Sequence, residues 1–332
     1  MKAIVMTEAG APDVLVPTRI SEPVIADDFQ LKVRLKAAGV NPIDTKLRSK
    51  GLLYPDALPA VLGCDGAGVV VETGTAVSRF EVGDEVWFCN GGLGGEPGNY
   101  AEYTLVDEKV AQPKPPKLSF EQAAAAPLVL ITAWGALFDR GNLKAGQDIL
   151  IHAGAGGVGH VAIQLAKHAG ARVFTTVSTP AKAEFAKSLG ADGVIFYEDD
   201  DFVSHVLRMT NNRGVDMVLD TVGADTFRHS IAAVAYYGEL ITLLDPGQDM
   251  MWNEVRSRNL RIGFEMMLTP MLKDLPEARA HQGEILNRCA ELIESGDLTI
   301  HVDQRLILEQ ASEAHRLIEK GQVIGKLVLS IA

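Results

Sequence analysis

The residues Gly154-Ala155-Gly156-Gly157-Val158-Gly159 carry three glycines at the spacing G-x-G-x-x-G. Each glycine in such a turn has a mechanical task. The first allows a tight bend, the second lets a pyrophosphate approach the backbone, and the third lets a helix pack closely on a strand. An apolar run, Ile149-Leu150-Ile151, precedes the turn, and an alanine-rich stretch with helical spacing follows it. The start of that helix would offer unpaired N–H groups and a partial positive charge to phosphates. The pattern predicts a dinucleotide site. A glycine-rich turn with no ligand is the alternative, and the repeated strand–helix units around the motif argue against it.

The second strand of such a unit decides which dinucleotide is taken. An NAD site needs a carboxylate about 20 residues beyond the motif to bond the ribose hydroxyls. Ser178 stands there instead, followed by Lys182, and no Asp or Glu lies between Gly170 and Ala183. A carboxylate would repel a 2′-phosphate, whereas a hydroxyl and an ammonium would accept it. NADPH is therefore the expected cofactor, although a lysine at a helix start can also be a solvated surface charge.

The elements that must position these groups have two textures. From residue 147 onward, short apolar runs at 149–151, 172–177, 194–196, 217–219 and 240–243 alternate with helical stretches at 158–169, 181–189 and 202–209, with a further candidate strand at 260–264. Nearly continuous apolar strands between helices imply a parallel sheet covered on both faces. The first third reads as β structure. Leu31, Val33 and Leu35 alternate with Lys32, Arg34 and Lys36, a half-buried strand pattern, and turn glycines are frequent up to a glycine-rich loop at 90–98. Two helical segments are expected at 120–126 and 130–140. Helices at 276–294 and 309–320 and a strand at 326–331 complete the tail, and that strand is too remote from the alternating block to be assigned to its sheet from pattern alone.

A length of 332 residues suggests two domains. The net charge of −12 disfavours nucleic acid and anionic membrane surfaces as partners. The three cysteines, Cys64, Cys89 and Cys289, are widely spaced and odd in number, which fits a reducing cytoplasm better than a disulfide framework. No run of about 18 apolar residues occurs, so no transmembrane helix is expected.

With these residues in view, the chain resembles the medium-chain dehydrogenase/reductase superfamily, in its zinc-independent quinone oxidoreductase-like branch. The resemblance runs along the whole chain. It is carried by Ala38-Gly39-Val40-Asn41-Pro42-Ile43-Asp44, Leu62-Gly63-Cys64-Asp65-Gly66-Ala67-Gly68, Gly83-Asp84-Glu85-Val86, Tyr100-Ala101-Glu102-Tyr103, Thr132-Ala133-Trp134-Gly135, the glycine turn, and Gly325-Lys326-Leu327-Val328. It implies an α/β architecture with a GroES-like β-barrel-type catalytic domain and a doubly wound Rossmann domain. Residues 1–124 would form the first part of the catalytic domain, 125–265 the NADPH-binding Rossmann domain, and 266–332 a return to the catalytic domain.

The resemblance also bears on zinc. Zinc-dependent relatives place a cysteine where this chain has Asn41 and a His-Glu pair where it has Cys64-Asp65, and a third ligand is expected near Ala126, where no Cys or His occurs. Tetrahedral zinc needs three or four well-placed ligands, so no metal site is expected, and Cys64 reads as a small buried hydrophobe. Several further residues take roles only by resemblance. Asn41 would face the nicotinamide as a hydrogen-bond donor; a turn cap before Pro42 is the alternative. Thr132 would contact the carboxamide, Tyr197 would lie near the adenosine phosphate, and Lys326 would reach the cofactor. The proton-donating tyrosine of enoyl-thioester reductases falls on Leu52, and Tyr54 two residues away would serve only with a rearranged loop.

Without a metal, hydride delivery favours acceptors that are already electron-poor, namely quinones and carbonyls conjugated to an alkene. The expected function is NADPH-dependent reduction of such a small molecule. An enoyl-thioester reductase, or an NADPH-binding protein with a structural or regulatory role, are the alternatives. Edge strands near 260–264 could join two Rossmann sheets, giving a homodimer.

Overall fold

Apolar side chains on both faces of consecutive short strands require a helix layer on each side, and this is what the second half of the chain forms. The structure is a computed structural model that describes residues 1–54, 56–198, 201–248 and 250–332. The chain divides into two compact units, Met1–Leu128 with Leu268–Ala332, and Val129–Met267.

The unit Val129–Met267 is built on six parallel strands: β1 (Asp148–Ile151), β2 (Arg172–Val177), β3 (Gly193–Phe196), β4 (Val215–Asp220), β5 (Val234–Thr242) and β6 (Arg261–Phe264). Their order across the sheet is β3-β2-β1-β4-β5-β6, every neighbouring pair parallel. This is the Rossmann order, and the chain reverses its direction of progress between β1 and β4, where such sheets bind ligands at the carboxyl ends of their strands. Helices α1 (Gly157–His168), α2 (Pro180–Ser188), α3 (Phe202–Met209) and α4 (Ala224–Ala233) make the crossovers. Leu150, Phe174, Ile195, Val218 and Leu240 from five strands meet Val206, Phe227 and Ile231 of α3 and α4 in one core.

Several features here differ from the sequence expectation, among them the helix Trp252–Ser257 between β5 and β6. The polar stretch that forms α4 does not read as a helix, yet parallel neighbours such as β4 and β5 need a crossover, and Phe227 and Ile231, four residues apart, bury its one apolar edge. The stretch 130–140 is not one α-helix. It runs as α-helix over Pro127–Trp134 and widens to a π-helix over Gly135–Arg140, with Gly141 N–H donating to Ala136 O at 3.0 Å. A Cβ on Gly135 would come within 2.9 Å of the Glu265 carboxyl carbon, so the missing side chain admits that carboxylate.

In the other unit, Leu31, Val33 and Leu35 are fully buried, as their alternation requires. They lie on the strand Gln30–Val40, central to a sheet ordered Val302–Ile307, Lys326–Ser330, Gln30–Val40, Asp65–Thr73, Glu85–Cys89, Gln112–Pro113, with Tyr103–Asp107 also paired to Gln30–Val40. The pairings are antiparallel except that between Val302–Ile307 and Lys326–Ser330. The C-terminal strand thus lies beside a strand nearly 300 residues earlier, with Leu327 opposite Val40. The strand Val302–Ile307, absent from the sequence expectation, exposes the consecutive polar residues Asp303, Gln304 and Arg305 and lies at the edge of the sheet. A smaller antiparallel sheet joins Leu15–Arg19, Lys2–Met6 and Ala60–Val61. Among the described residues no helix is long and apolar enough to cross a membrane.

Candidate active site

The glycine turn connects β1 to α1 and leaves no room for a side chain at Gly154 or Gly159. A Cβ on Gly154 would lie 2.0 Å from Thr175 Oγ1, and one on Gly159 would lie 2.3 Å from Ala153 O. Gly156 is the residue before the first turn of α1, and its extended backbone (φ −81°, ψ −179°) turns the chain into the helix. The first-turn N–H groups of Gly157, Val158 and Gly159 have no acceptor within the helix. Gly156, Gly157 and Val158 are partly exposed, while Gly154, Ala155 and Gly159 are buried beneath them. Exposed donors over a floor of close-packed glycine suit an anion that contacts backbone.

The end of β2 brings the other phosphate candidates together. Ser178 follows the last residue of β2, and Lys182 in the first turn of α2 donates from Nζ to Ser178 Oγ at 3.2 Å. Thr179 caps α2, its hydroxyl accepting from Lys182 N–H at 3.3 Å. Tyr197 follows β3, donates its N–H to Val177 O at 3.3 Å, and leaves its side chain about half exposed. The glycine turn, Ser178, Lys182 and Tyr197 therefore share the carboxyl ends of three adjacent strands, and a hydroxyl, an ammonium and helix N–H groups fit a dinucleotide bearing a 2′-phosphate. Thr132 is buried in the helix Pro127–Trp134 of the same unit.

A second group of polar residues lies buried in the other unit. Asn41 ends the strand Gln30–Val40 and begins the helix Pro42–Lys50, and its side chain does not cap that helix. Its Nδ2 donates to Asp65 Oδ2 at 2.9 Å, and its Oδ1 accepts from Lys326 Nζ. Lys326 also donates to Val40 O at 3.2 Å and stands 3.8 Å from Asp65 Oδ2. Asp65 Oδ1 accepts from Leu128 N–H at 2.8 Å. A Cβ on Gly39 would meet the Asp65 side chain at 3.0 Å, so the strand is bare where the carboxylate packs. Asn41, Asp65 and Lys326 are all essentially inaccessible.

Asp44, one turn into that helix, accepts at Oδ2 from Asn41 N–H at 2.8 Å and from the Tyr100 hydroxyl at 2.9 Å. His315 Nε2 lies 3.3 Å from the same hydroxyl. Among the described residues, Asp44 Oδ1 and His315 Nδ1 have no hydrogen-bond partner. The two carboxyls consequently differ. Burial raises both, but Asp65 has Lys326 beside it as counter-charge, whereas Asp44 is pushed up to about 7, its hydrogen bonds from Asn41 and Tyr100 only partly opposing burial. Burial lowers Lys326, and Asp65 holds it up. Burial drives the Cys64 and Cys89 thiols well up, which removes them as nucleophiles.

The structure thus joins Asn41 directly to Lys326. Tyr54 is half-buried, with ring atoms 3.3 Å from where a Cβ on Gly95 would stand. Sequence reasoning passed over Asp44, Tyr100 and His315. The Asn-Pro-x-Asp spacing is a capping signal that could have singled out Asp44, while Tyr100 and His315 carry no local signal. Among the described residues, no group of three or more His, Cys, Asp or Glu side chains is placed to hold a metal ion.

Comparison with known proteins adds to this geometry. Residues 27–116 match the family model described as alcohol dehydrogenase GroES-like domain, and residues 189–329 match that described as zinc-binding dehydrogenase. The chain is 35% identical to a quinone oxidoreductase of Pseudomonas aeruginosa, with 99% of each chain covered. It is 33% identical to a 2-methylene-furan-3-one reductase of Solanum lycopersicum, over 99% of this chain and 79% of that one. Among solved structures, it superposes on Escherichia coli quinone oxidoreductase complexed with NADPH with a TM-score of 0.89, at 30% identity over 99% of this chain and 100% of the other.

Proposed function

The chain belongs to the medium-chain dehydrogenase/reductase superfamily, in its quinone oxidoreductase-like branch, and from that premise we propose that it is an NADPH-dependent reductase of quinones and enones. The observation that carries the cofactor reading is the pairing of Ser178 and Lys182 beside the glycine turn, where an NAD site would need an acid. Backbone N–H groups of 157–159 hold the pyrophosphate, Ser178 and Lys182 take the 2′-phosphate, and Tyr197 packs beside them. Thr132 contacts the carboxamide. When bound, the dinucleotide supplies a hydride, two electrons with one proton, and a solvent proton completes the reduced acceptor.

The cluster around Asn41 contributes donors and a positive charge. Lys326 has three N–H bonds, two of them directed at Val40 O and Asn41 Oδ1, and the Asn41 amide has two, one directed at Asp65. Each therefore retains one hydrogen that can stabilise an oxygen gaining negative charge. We assign Asn41 that role, with Lys326 holding its amide in orientation, and keep Tyr54 as the weaker candidate for proton delivery.

The reaction is zinc-independent in this reading. Asn41, Cys64 and Asp65 stand where the resemblance sets the metal ligands of zinc-dependent relatives, and among the described residues it is the chain's own Lys326 that lies beside Asp65 as a cation. The open edge of β6 supports a homodimer, and three free buried thiols support a cytoplasmic enzyme. The identity to a 2-methylene-furan-3-one reductase supports enones as acceptors beside quinones.

Purified protein assayed with NADPH and NADH against a simple quinone, an enal and a crotonyl thioester tests the proposal. Turnover with NADPH on the first two is expected. Preference for the thioester would favour enoyl-thioester reduction, and tight NADPH binding without turnover on any acceptor would favour a binding role. Lys182→Ala should raise the NADPH dissociation constant and leave NADH nearly unchanged; equal effects would overturn the phosphate assignment.

A further inference from the structure

His152, two residues before Gly154, is fully buried and outside every role described above. Its imidazole touches three elements. Nδ1 lies 3.1 Å from Thr176 Oγ1 on β2, Nε2 lies 2.9 Å from Ser230 Oγ on α4, and the ring meets Phe202 of α3 edge-on, centroids 4.8 Å apart. Its carbonyl accepts from the Thr221 hydroxyl at 2.8 Å.

The direction of each hydrogen bond follows from its neighbours. The Ser230 hydroxyl donates its single hydrogen to Thr226 O at 2.6 Å, so it accepts from His152, which must carry its proton on Nε2. His152 Nδ1 then accepts from the Thr176 hydroxyl, whose oxygen accepts from Ala153 N–H at 3.1 Å. The bonds run head to tail from Ala153 N–H to Thr226 O through a neutral imidazole. Burial pushes His152 down to about 4, against the pull of Asp220, which keeps it neutral. The Asp220 carboxylate is itself engaged by the N–H groups of Val222 and Gly223 and by the Thr242 hydroxyl.

The anchored end of this relay is the residue that shapes the turn. Ala153 has φ +51°, a left-handed conformation that residues with a Cβ rarely adopt. Its carbonyl accepts from Gly156 N–H at 2.9 Å and is the atom against which Gly159 packs. The orientation of the peptide units around Ala153 thus sets the positions of both later glycines.

We propose that His152 is a positioning residue for cofactor binding: through Thr176 it holds Ala153 in its left-handed conformation and so shapes the turn that receives the pyrophosphate. This rests on the NADPH reading, and the test separates the two. Dissociation constants are measured for NADP⁺, which carries the pyrophosphate, and for adenosine 2′-monophosphate, which lacks it. His152→Leu and Thr176→Val should each weaken NADP⁺ about 10-fold or more and leave adenosine 2′-monophosphate within about 2-fold. The double variant should be no worse than either single one, because both cut the same relay. His152→Asn keeps an acceptor facing Thr176 and should recover most of the NADP⁺ affinity, a rescue that general loss of packing would not show. Thr176→Val leaves the imidazole in place and carries the test if His152→Leu does not fold. Equal loss of both ligands, additive losses in the double variant, or unchanged NADP⁺ affinity in Thr176→Val would overturn the proposal. Failure of the wild-type protein to bind either ligand would instead remove the NADPH reading, and this assignment with it.

Discussion

Replacing Asp44 by asparagine should make the protein more stable at alkaline pH and change it little in acid. Asp44 is fully buried, and Tyr100 and the Asn41 N–H contact only its Oδ2. The charged groups acting on it are Asp65, which disfavours its ionisation, and Lys326, which favours it; His315 meets it through the Tyr100 hydroxyl. Its folded-state value of about 7 against an ordinary 3.8 means that between those limits the folded chain keeps a proton the unfolded chain has released. Stability therefore falls as pH rises through that window and is level above it, a total loss of about 4 kcal/mol. Between pH 5 and pH 8.5 roughly 3 kcal/mol of this is withdrawn. Asparagine is an uncharged isostere of the protonated acid and escapes the loss. Urea unfolding of wild type and Asp44→Asn at the two pH values reads the difference. With a slope of about 3 kcal/mol per M, the variant's advantage should grow by about 1 M in midpoint from pH 5 to pH 8.5. A difference that is the same at both values, or a variant less stable at pH 8.5, would mean that Asp44 ionises readily in the fold and that the contrast with Asp65 is wrong.

Other perturbations test other parts of the structure. In the Asp44→Asn background, stability should fall as pH drops below about 6.5, because His152 and His315, held by burial to about 4 and about 3, stay neutral in the fold while the unfolded chain takes up protons; a flat urea midpoint between pH 4 and 6.5 would contradict this. Wild type should show a shallower acid slope, since protonation of Asp44 opposes the histidines. Gly154→Ala places a Cβ 2.0 Å from Thr175 Oγ1 and should cost about 1–3 kcal/mol or more, lowering Tm by several degrees and weakening NADPH together; unchanged calorimetry and binding would refute the close approach. Exhaustive dialysis against a chelator should leave quinone reduction intact, and a loss that added zinc restores would mean that Asn41, Cys64 and Asp65 do not bear the reading placed on them.

What the sequence determined by itself was local in character. Strand–turn–helix periodicity and three glycines at fixed spacing announce the turn at 154–159, because backbone geometry needs them within six neighbouring residues. The absence of an acid between Gly170 and Ala183, and the presence of Ser178 and Lys182, could be read the same way. The α/β fold and the two textures followed from hydrophobic periodicity, which reports burial one element at a time. The stretch 224–233 escaped that reading because its helix is required by the connection between β4 and β5 more than by its own composition.

Tertiary structure alone decided which distant groups meet. Lys326 binds an amide 285 positions away because the last strand lies antiparallel to Gln30–Val40, and no local pattern encodes that pairing. The same packing sets Asp44 and Asp65 apart, since a carboxyl's ionisation depends on which cation and which donors are folded against it. His152 in the sequence is only a histidine before a glycine turn. Its neutral state, its tautomer and its hold on Ala153 exist only once β2 and α4 close around it, because burial and hydrogen-bond direction are properties of the assembled sheet and helices.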